Sequence, residues 1–256
     1  MIFPPSLRLP RHRSATGPRW RAWTRRCLGA LLPCACALCG DLSQDVLCAD
    51  CDSLFDEAAA RCRQCALRLP QDGTQRCGRC LAGRPAYATA LTLADYAAPL
   101  DRLARALKFS ARLGVADVFG RRLARAIAHA QAGNTWPRID LVTPVPLGRK
   151  RLLARGYNQS WEIARLIARH LNLPAEPQLL QRRRETAPQT GLSARARAAN
   201  LRGVFQPGRA PLPIGAAVLL VDDVMTSGAT AQAAALSLLR AGAASVHLAV
   251  ALRTPG

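Results

Sequence analysis

All ten cysteines of this 256-residue chain lie between positions 27 and 80, and eight of them form four CxxC pairs: Cys36/Cys39, Cys48/Cys51, Cys62/Cys65 and Cys77/Cys80. Two residues between thiolates let both sulfurs of a knuckle face one metal, and two knuckles complete a tetrahedral four-cysteine zinc site. Four pairs therefore predict up to two structural zinc ions. The intervening stretches of 8, 10 and 11 residues suit short hairpins. The expectation is a double zinc ribbon, with the pairing of knuckles left open. A disulfide framework also gives an even count, but regular CxxC pairs favour metal in an intracellular setting. Sites saturated by four thiolates have no open position, which argues against catalytic zinc. So short a segment buries too little apolar area alone, and metal binding supplies its folding energy. Cys27 and Cys34 stand outside the pattern and read as small apolar packing.

Charge comes next. The formal net charge is +20, and only Lys108 and Lys150 are lysines. The arginine excess has the look of coding bias, yet so basic a balance still favours polyanionic partners. Residues 1–33 read as a basic extension, 34–85 as the zinc-ribbon domain and 86–256 as the larger domain. No window reaches the ~18 unbroken apolar residues of a spanning helix. Residues 27–39 follow a basic stretch as the core of a secretion signal would, but Pro33 and the cysteines argue against export. A cytoplasmic protein without a membrane span is expected.

Beyond residue 86, short apolar runs alternate with amphipathic stretches, the pattern of a parallel α/β sheet flanked by helices. Strands are predicted over 138–147, 177–183, 216–224 and 245–252, and a strand or hairpin over 87–96. Helices are predicted over 99–109, 115–130 (despite Gly120), 157–173 and 228–242, the last stopped by Gly242. A loop, a short helix and a strand are expected over 188–205. His247 reads as a packed or edge residue without chemistry.

The stretch "VLLVDDVMTSGAT" (218–230) joins an apolar strand to two acids and a small-residue loop. Ligands of open parallel sheets bind at the carboxyl ends of the strands. Side chains alternate along a strand, so Asp222 and Asp223 both reach one ligand only if the strand ends there. Thr226, Ser227, Gly228, Ala229 and Thr230 supply hydroxyls and N–H groups at a helix start, a cradle for phosphate. No Gly-Lys-Ser/Thr follows, so this is not a Walker A loop. The expected ligand is a sugar phosphate.

This stretch resembles the 5-phosphoribosyl-1-pyrophosphate (PRPP) motif of type I phosphoribosyltransferases. The resemblance implies Asp222 and Asp223 on the ribose hydroxyls and Thr226–Thr230 on the 5′-phosphate. With the cysteine knuckles, "YAAPLDRLARALKF", "TPVPLGRKRLLARGYNQS" and "TAPQTGLSARARAANLRGVF", the chain resembles the ComF/GntX family of competence-associated phosphoribosyltransferase-like proteins over residues 34–253. Departing from that pattern, "KFSARLG" (108–114) has Ala111 where a glycine is expected. The resemblance implies a type I phosphoribosyltransferase-like fold, PRPP with Mg2+, and a role in DNA uptake during natural transformation. "TPVPLGRKR" falls where the pyrophosphate loop of this fold lies, making Arg149, Lys150 and Arg151 the nearest cations, with Arg155 and Lys108 as further candidates. Asn158 or Gln159 is expected to cap a helix, and 182–200, with Gln189 and Thr190, to form a lid.

Two functions follow. One is a phosphoribosyltransferase of unidentified acceptor. The other is a non-catalytic accessory protein binding single-stranded DNA, with PRPP as regulatory ligand and DNA-uptake proteins as partners. A secreted disulfide-stapled module is a third class, excluded if the chain carries zinc.

Overall fold

The structure, a computed structural model of the chain, describes residues 34–184 and 203–256. The basic extension 1–33 with Cys27, and most of the expected lid with Gln189 and Thr190, lie outside the described residues. Short strands β1 (Cys34–Ala35) and β2 (Leu42–Ser43) pair antiparallel in the first cysteine knuckle region. One-turn helices α1 (Ala49–Ser53) and α2 (Gly78–Ala82) follow directly on Cys48 and Cys77.

The larger part is built on β3 (Thr89–Asp95), β4 (Leu141–Pro144), β7 (Ala217–Met225) and β8 (Ser245–Arg253). They form one parallel sheet in the order β3-β8-β7-β4. Helices α3 (Asp101–Phe109), α4 (Gly114–Ala132), α5 (Arg149–Arg155), α6 (Gln159–Leu171) and α7 (Ala229–Arg240) accompany it. The predicted strands and helices of the sheet are present with ends shifted by a few residues, and α5 was not foreseen. Gly156 at φ 80° ends α5 in the left-handed conformation that glycine adopts without a Cβ penalty.

The two innermost strands are buried on both faces, which is why they read as nearly continuous apolar runs. Leu219, Val221, Ala249 and Ala251 face one core, shared with α4 and α6. Val218, Leu220, Val246, Leu248 and Val250 face the other, shared with α7. The alternation is the two-residue period of a strand. Both cysteine groups join these cores: Cys36, Leu47, Cys51 and Phe55 pack into the first, and Cys62, Cys65, Cys77 and Cys80 into the second.

Two expectations are corrected and one open alternative is resolved. The strand foreseen at 177–183 does not join the sheet. Its β5 (Leu180–Arg182) pairs antiparallel with β6 (Phe205–Pro207), and Leu180 and Phe205 bury themselves in the second core. Of the two placements left open for His247, packed or at an edge, the packed one holds: β8 lies between β3 and β7, and His247 is buried in the interior. Thr89 Oγ1 and Ser245 Oγ, at 2.8 and 2.9 Å, satisfy its two ring nitrogens. Finally, the strand carrying the acids runs on through Met225, because Val224 and Met225 pair with Leu252 and Arg253.

Ala111 adopts φ 49° in the turn after α3, so the alanine holds a left-handed conformation at the position where a glycine was expected. Gly120 faces α6 at close range: a Cβ there would lie 2.6 Å from Leu166 Cβ and 3.3 Å from the Ile163 carbonyl oxygen. Gly120→Ala gains about 1 kcal/mol of helix propensity, but neither contact is the far end of a flexible side chain. The expected net result is a loss of about 2 kcal/mol from overpacking, read as a lower urea midpoint. A midpoint at or above wild type would show that the two helices can separate freely.

Candidate functional site

At the carboxyl end of β7, the two acids leave opposite sides of the strand. Asp223 is buried among α3 and α6: Lys108 Nζ pairs with its Oδ2 at 2.7 Å, and Gln159 Nε2 donates to its Oδ1 at 3.3 Å. Asp222 lines a cavity of about 30 Å³ together with Val145, Thr226, Gly228 and Thr230. Ser160 Oγ donates to Asp222 Oδ1 at 2.8 Å, and the Asp223 amide donates to the same oxygen at 2.9 Å. Adjacent residues at the start of α6 therefore reach both carboxylates, although the strand does not end between them.

Asn158 caps α6, its Oδ1 accepting from Ser160 N at 3.0 Å, as its sequence position predicted. Asp222 is half-buried. Desolvation first, and then the Asp223 charge, push its carboxyl up to about 7, against the opposing pull of Ser160 and Lys108. Two adjacent carboxylates beside one lysine form a site short of positive charge.

The loop after Met225 turns through Gly228 at φ 78°, and α7 starts at Ala229. Ser227 Oγ accepts from Ala229 N at 3.4 Å, while Thr226 is exposed and Thr230 half-buried. Side-chain hydroxyls and N–H groups thus surround the positive end of a three-turn helix. Gly228 is also confined from below, since a Cβ there would lie 3.0 Å from the Tyr87 hydroxyl.

The candidate cations divide into two sets. Lys108 touches Asp223, and Arg155 donates to Gln159 Oε1, one residue from Ser160, with its guanidinium 5.7 Å over the Phe109 ring. Arg149, Lys150 and Arg151 stand exposed on α5 rather than on a turn. Sequence reasoning missed Gln159 and Ser160 as partners of the acids; the signal was two polar residues at the start of the helix after β4. It also missed Tyr87 and Arg253 beneath the loop, for which no local motif exists.

The eight cysteines gather into two groups, Cys36/Cys39/Cys48/Cys51 and Cys62/Cys65/Cys77/Cys80, with ligand atoms within 4.8 Å of one another. Sequential knuckles share a site, which settles the pairing left open by spacing. Metal–sulfur bonds of about 2.3 Å in a tetrahedron place sulfurs about 3.8 Å apart. Cys39 and Cys48 Sγ are 3.8 Å apart, and Cys65 and Cys77 Sγ 3.5 Å. The donor set and its spacing fit one tetrahedral divalent metal in each group. Burial pushes the Cys36 thiol up, but the amides of Cys39, Cys48 and Leu38 outweigh it and hold it down at about 6. Cys34 stays outside both groups but is exposed rather than packed, which corrects its reading as apolar packing, and its thiol lies 3.3 Å from the Asp45 carbonyl.

A parallel sheet with flanking helices, two acids at a strand end and a small-residue loop opening a helix define a phosphoribosyltransferase-type α/β protein. The family model of the phosphoribosyl transferase domain matches residues 158–256, which span α6, β7, the loop, α7 and β8. DNA utilization protein YhgH of Escherichia coli K12 is 36% identical over 209 residues, 81% of this chain and 90% of that protein. Competence protein F of Haemophilus influenzae Rd is 30% identical over 191 residues, 74% of this chain and 82% of that protein. The chain belongs to the ComF family that these proteins represent. A solved glutamine PRPP amidotransferase from Bacillus subtilis shares 24% identity over 53% of this chain and 25% of that one at a TM-score of 0.36, an overlap too low to add to the fold assignment. Among the described residues, no helix is long and apolar enough to cross a membrane.

Proposed function

We propose that this chain is a PRPP-binding, phosphoribosyltransferase-like protein acting in the cytoplasm in DNA uptake or use, with an acceptor still to be identified. The observation that carries this reading is the placement of Asp222 and Asp223 at the end of β7 against the helix-opening loop 226–230. In this reading the loop's N–H groups and the hydroxyls of Thr226, Ser227 and Thr230 hold the 5′-phosphate. Asp222 and Asp223 accept from the ribose hydroxyls. Lys108 leaves Asp223 to meet the pyrophosphate, with Arg155 and the α5 cations as its further partners. Mg2+ bound with PRPP would neutralise charge on the departing pyrophosphate. The domain limits 34–85 and 86–256 and zinc as the metal of both cysteine groups belong to the same reading. The DNA setting comes from the relatives' names, "DNA utilization" and "competence".

Calorimetric titration with PRPP and Mg2+ tests it. Wild type is expected to bind, and Asp222→Asn/Asp223→Asn to lose at least tenfold in affinity while remaining folded. Equal binding by the double variant would remove the acids from the site.

A second reading is favoured by one observation: Phe109 is 77% exposed, beneath Arg155 and beside the basic helix α5. Aromatic and guanidinium faces on a cationic surface suit the stacked bases of single-stranded DNA. In this alternative the protein is a non-catalytic accessory factor and PRPP a regulator. Pyrophosphate release with an acceptor supports the enzyme. Salt-sensitive DNA binding with no release supports the accessory factor.

A further inference from the structure

The phosphate loop rests on a residue that none of the site motifs contains. Arg253 ends β8, directly opposite Met225, and is 3% exposed. Among the described residues no carboxylate pairs with it. Its guanidinium instead donates to four carbonyls: Nε to Cys65 at 3.1 Å, and Nη1 to Met225 at 3.1 Å, to Thr254 at 2.7 Å and to Thr226. One side chain thus holds the backbone of a metal-ligand residue and the first residues of the phosphate loop. A buried cation needs a compensating anion. Four thiolates around a divalent metal carry more negative than positive charge, so the loaded second cysteine group supplies one.

Two further contacts run the same way. Tyr87, 3% exposed in the core of the second group, places its hydroxyl under Gly228. Ala86 N donates to Gln232 Oε1 at 2.6 Å in the first turn of α7. The first cysteine group has different neighbours. Phe55 meets Phe119 edge-on, with ring centroids 6.2 Å apart, and Arg122 pairs with Asp52 at 2.7 Å and Asp56 at 2.9 Å, all directed at α4. None of these contacts reaches residues 225–230.

We propose that the two metal groups have different tasks: the second, through Arg253, positions the phosphate loop for its ligand, while the first only braces α4. The proposal deepens the ribose-phosphate reading and rests on it for the identity of the ligand. Arg253 is a positioning residue, since it holds the loop from beneath and donates only to protein carbonyls. Loading of the second group and ligand affinity are then linked, and the linkage is reciprocal.

The test compares full-length, zinc-loaded wild type with Arg253→Met, Arg253→Lys, Cys80→Ser and Arg122→Met. The last removes the equivalent guanidinium at the first group. Each protein is read by amide hydrogen exchange over residues 225–232 and by calorimetric binding of PRPP with Mg2+. Arg253→Met and Cys80→Ser are expected to speed exchange in this segment at least tenfold and to weaken PRPP at least tenfold. Arg253→Lys, which keeps the charge without the fork, should recover part of both. Arg122→Met should change both by less than twofold, whatever it costs in melting temperature. Should Arg253→Met fail to fold, Arg253→Lys and Cys80→Ser decide. Loop exchange unchanged in the folded Arg253 variants, or altered equally by Arg122→Met, overturns the proposal. Wild type that does not bind PRPP refutes the ribose-phosphate reading instead, and the exchange measurements still decide whether Arg253 holds the loop.

Discussion

At pH 8 the Asp222→Asn variant is expected to unfold at a higher urea concentration than wild type, and at pH 4 the difference should disappear. Desolvation and the neighbouring Asp223 raise the folded-state value of Asp222 from 3.8 to about 7. A carboxyl raised in this way favours folding while it stays protonated. Its contribution is complete below about pH 4 and is lost as the pH rises through 7. Above that, the folded protein holds a carboxylate that the unfolded chain would carry in water. The linkage relation puts the difference at about 4 kcal/mol at most. Asparagine has nearly the shape of the protonated acid and keeps an oxygen for Ser160 Oγ and the Asp223 amide, which donate at 2.8 and 2.9 Å. The variant therefore escapes the cost without opening a hole. It should at the same time lose affinity for PRPP, the exchange of stability for function common at binding sites. Urea midpoints at four pH values between 4 and 8 measure the effect. A variant less stable than wild type at pH 8, or a difference that does not change with pH, would mean that the carboxyl is well solvated or fully paired with Lys108.

The parts of this fold that were legible in the sequence are those whose signal is local. CxxC spacing announces a metal knuckle because ligand geometry is set by two intervening residues. The run 217–225 announces a strand covered on both faces because seven of its nine residues are apolar. Strand order was not legible: β8 is last in the chain yet lies inside the sheet, which only long-range pairing decides. The same holds for the contacts that set the chemistry. Lys108 reaches Asp223 across 115 residues, and Arg253 reaches Cys65 across 188. In a chain this rich in arginine, one more at the end of a strand gives no local sign that it is buried. The strand foreseen at 177–183 was misplaced for a related reason. Its apolar residues need a core, and the sequence does not say that the core is shared with α7 and not with the sheet edge.

Stripping both metals is expected to unfold the protein, and not merely the cysteine segments. Structural zinc in isolated fingers contributes about 10–16 kcal/mol of apparent binding free energy, against about 5–15 kcal/mol for the whole stability of a typical domain. The coupling to the sheet follows from shared cores. Cys36, Cys51 and Phe55 pack with Phe119 and Leu123 of α4, while Cys62, Cys65 and Tyr87 pack with Val250 and Ala231. Once the knuckles open, both faces of the sheet lose part of their cover. A strong chelator should then lower the melting temperature by at least about 15 °C, with zinc release and loss of sheet signal in a single transition. Two zinc equivalents per chain should be released, one for each group of four cysteines. Reductant alone should leave the transition in place, because thiolates on a metal contain no disulfide to reduce. Unchanged melting after complete chelation would show that the cysteine groups are held by packing alone. A transition lost to reductant without chelator would replace the metal with disulfides.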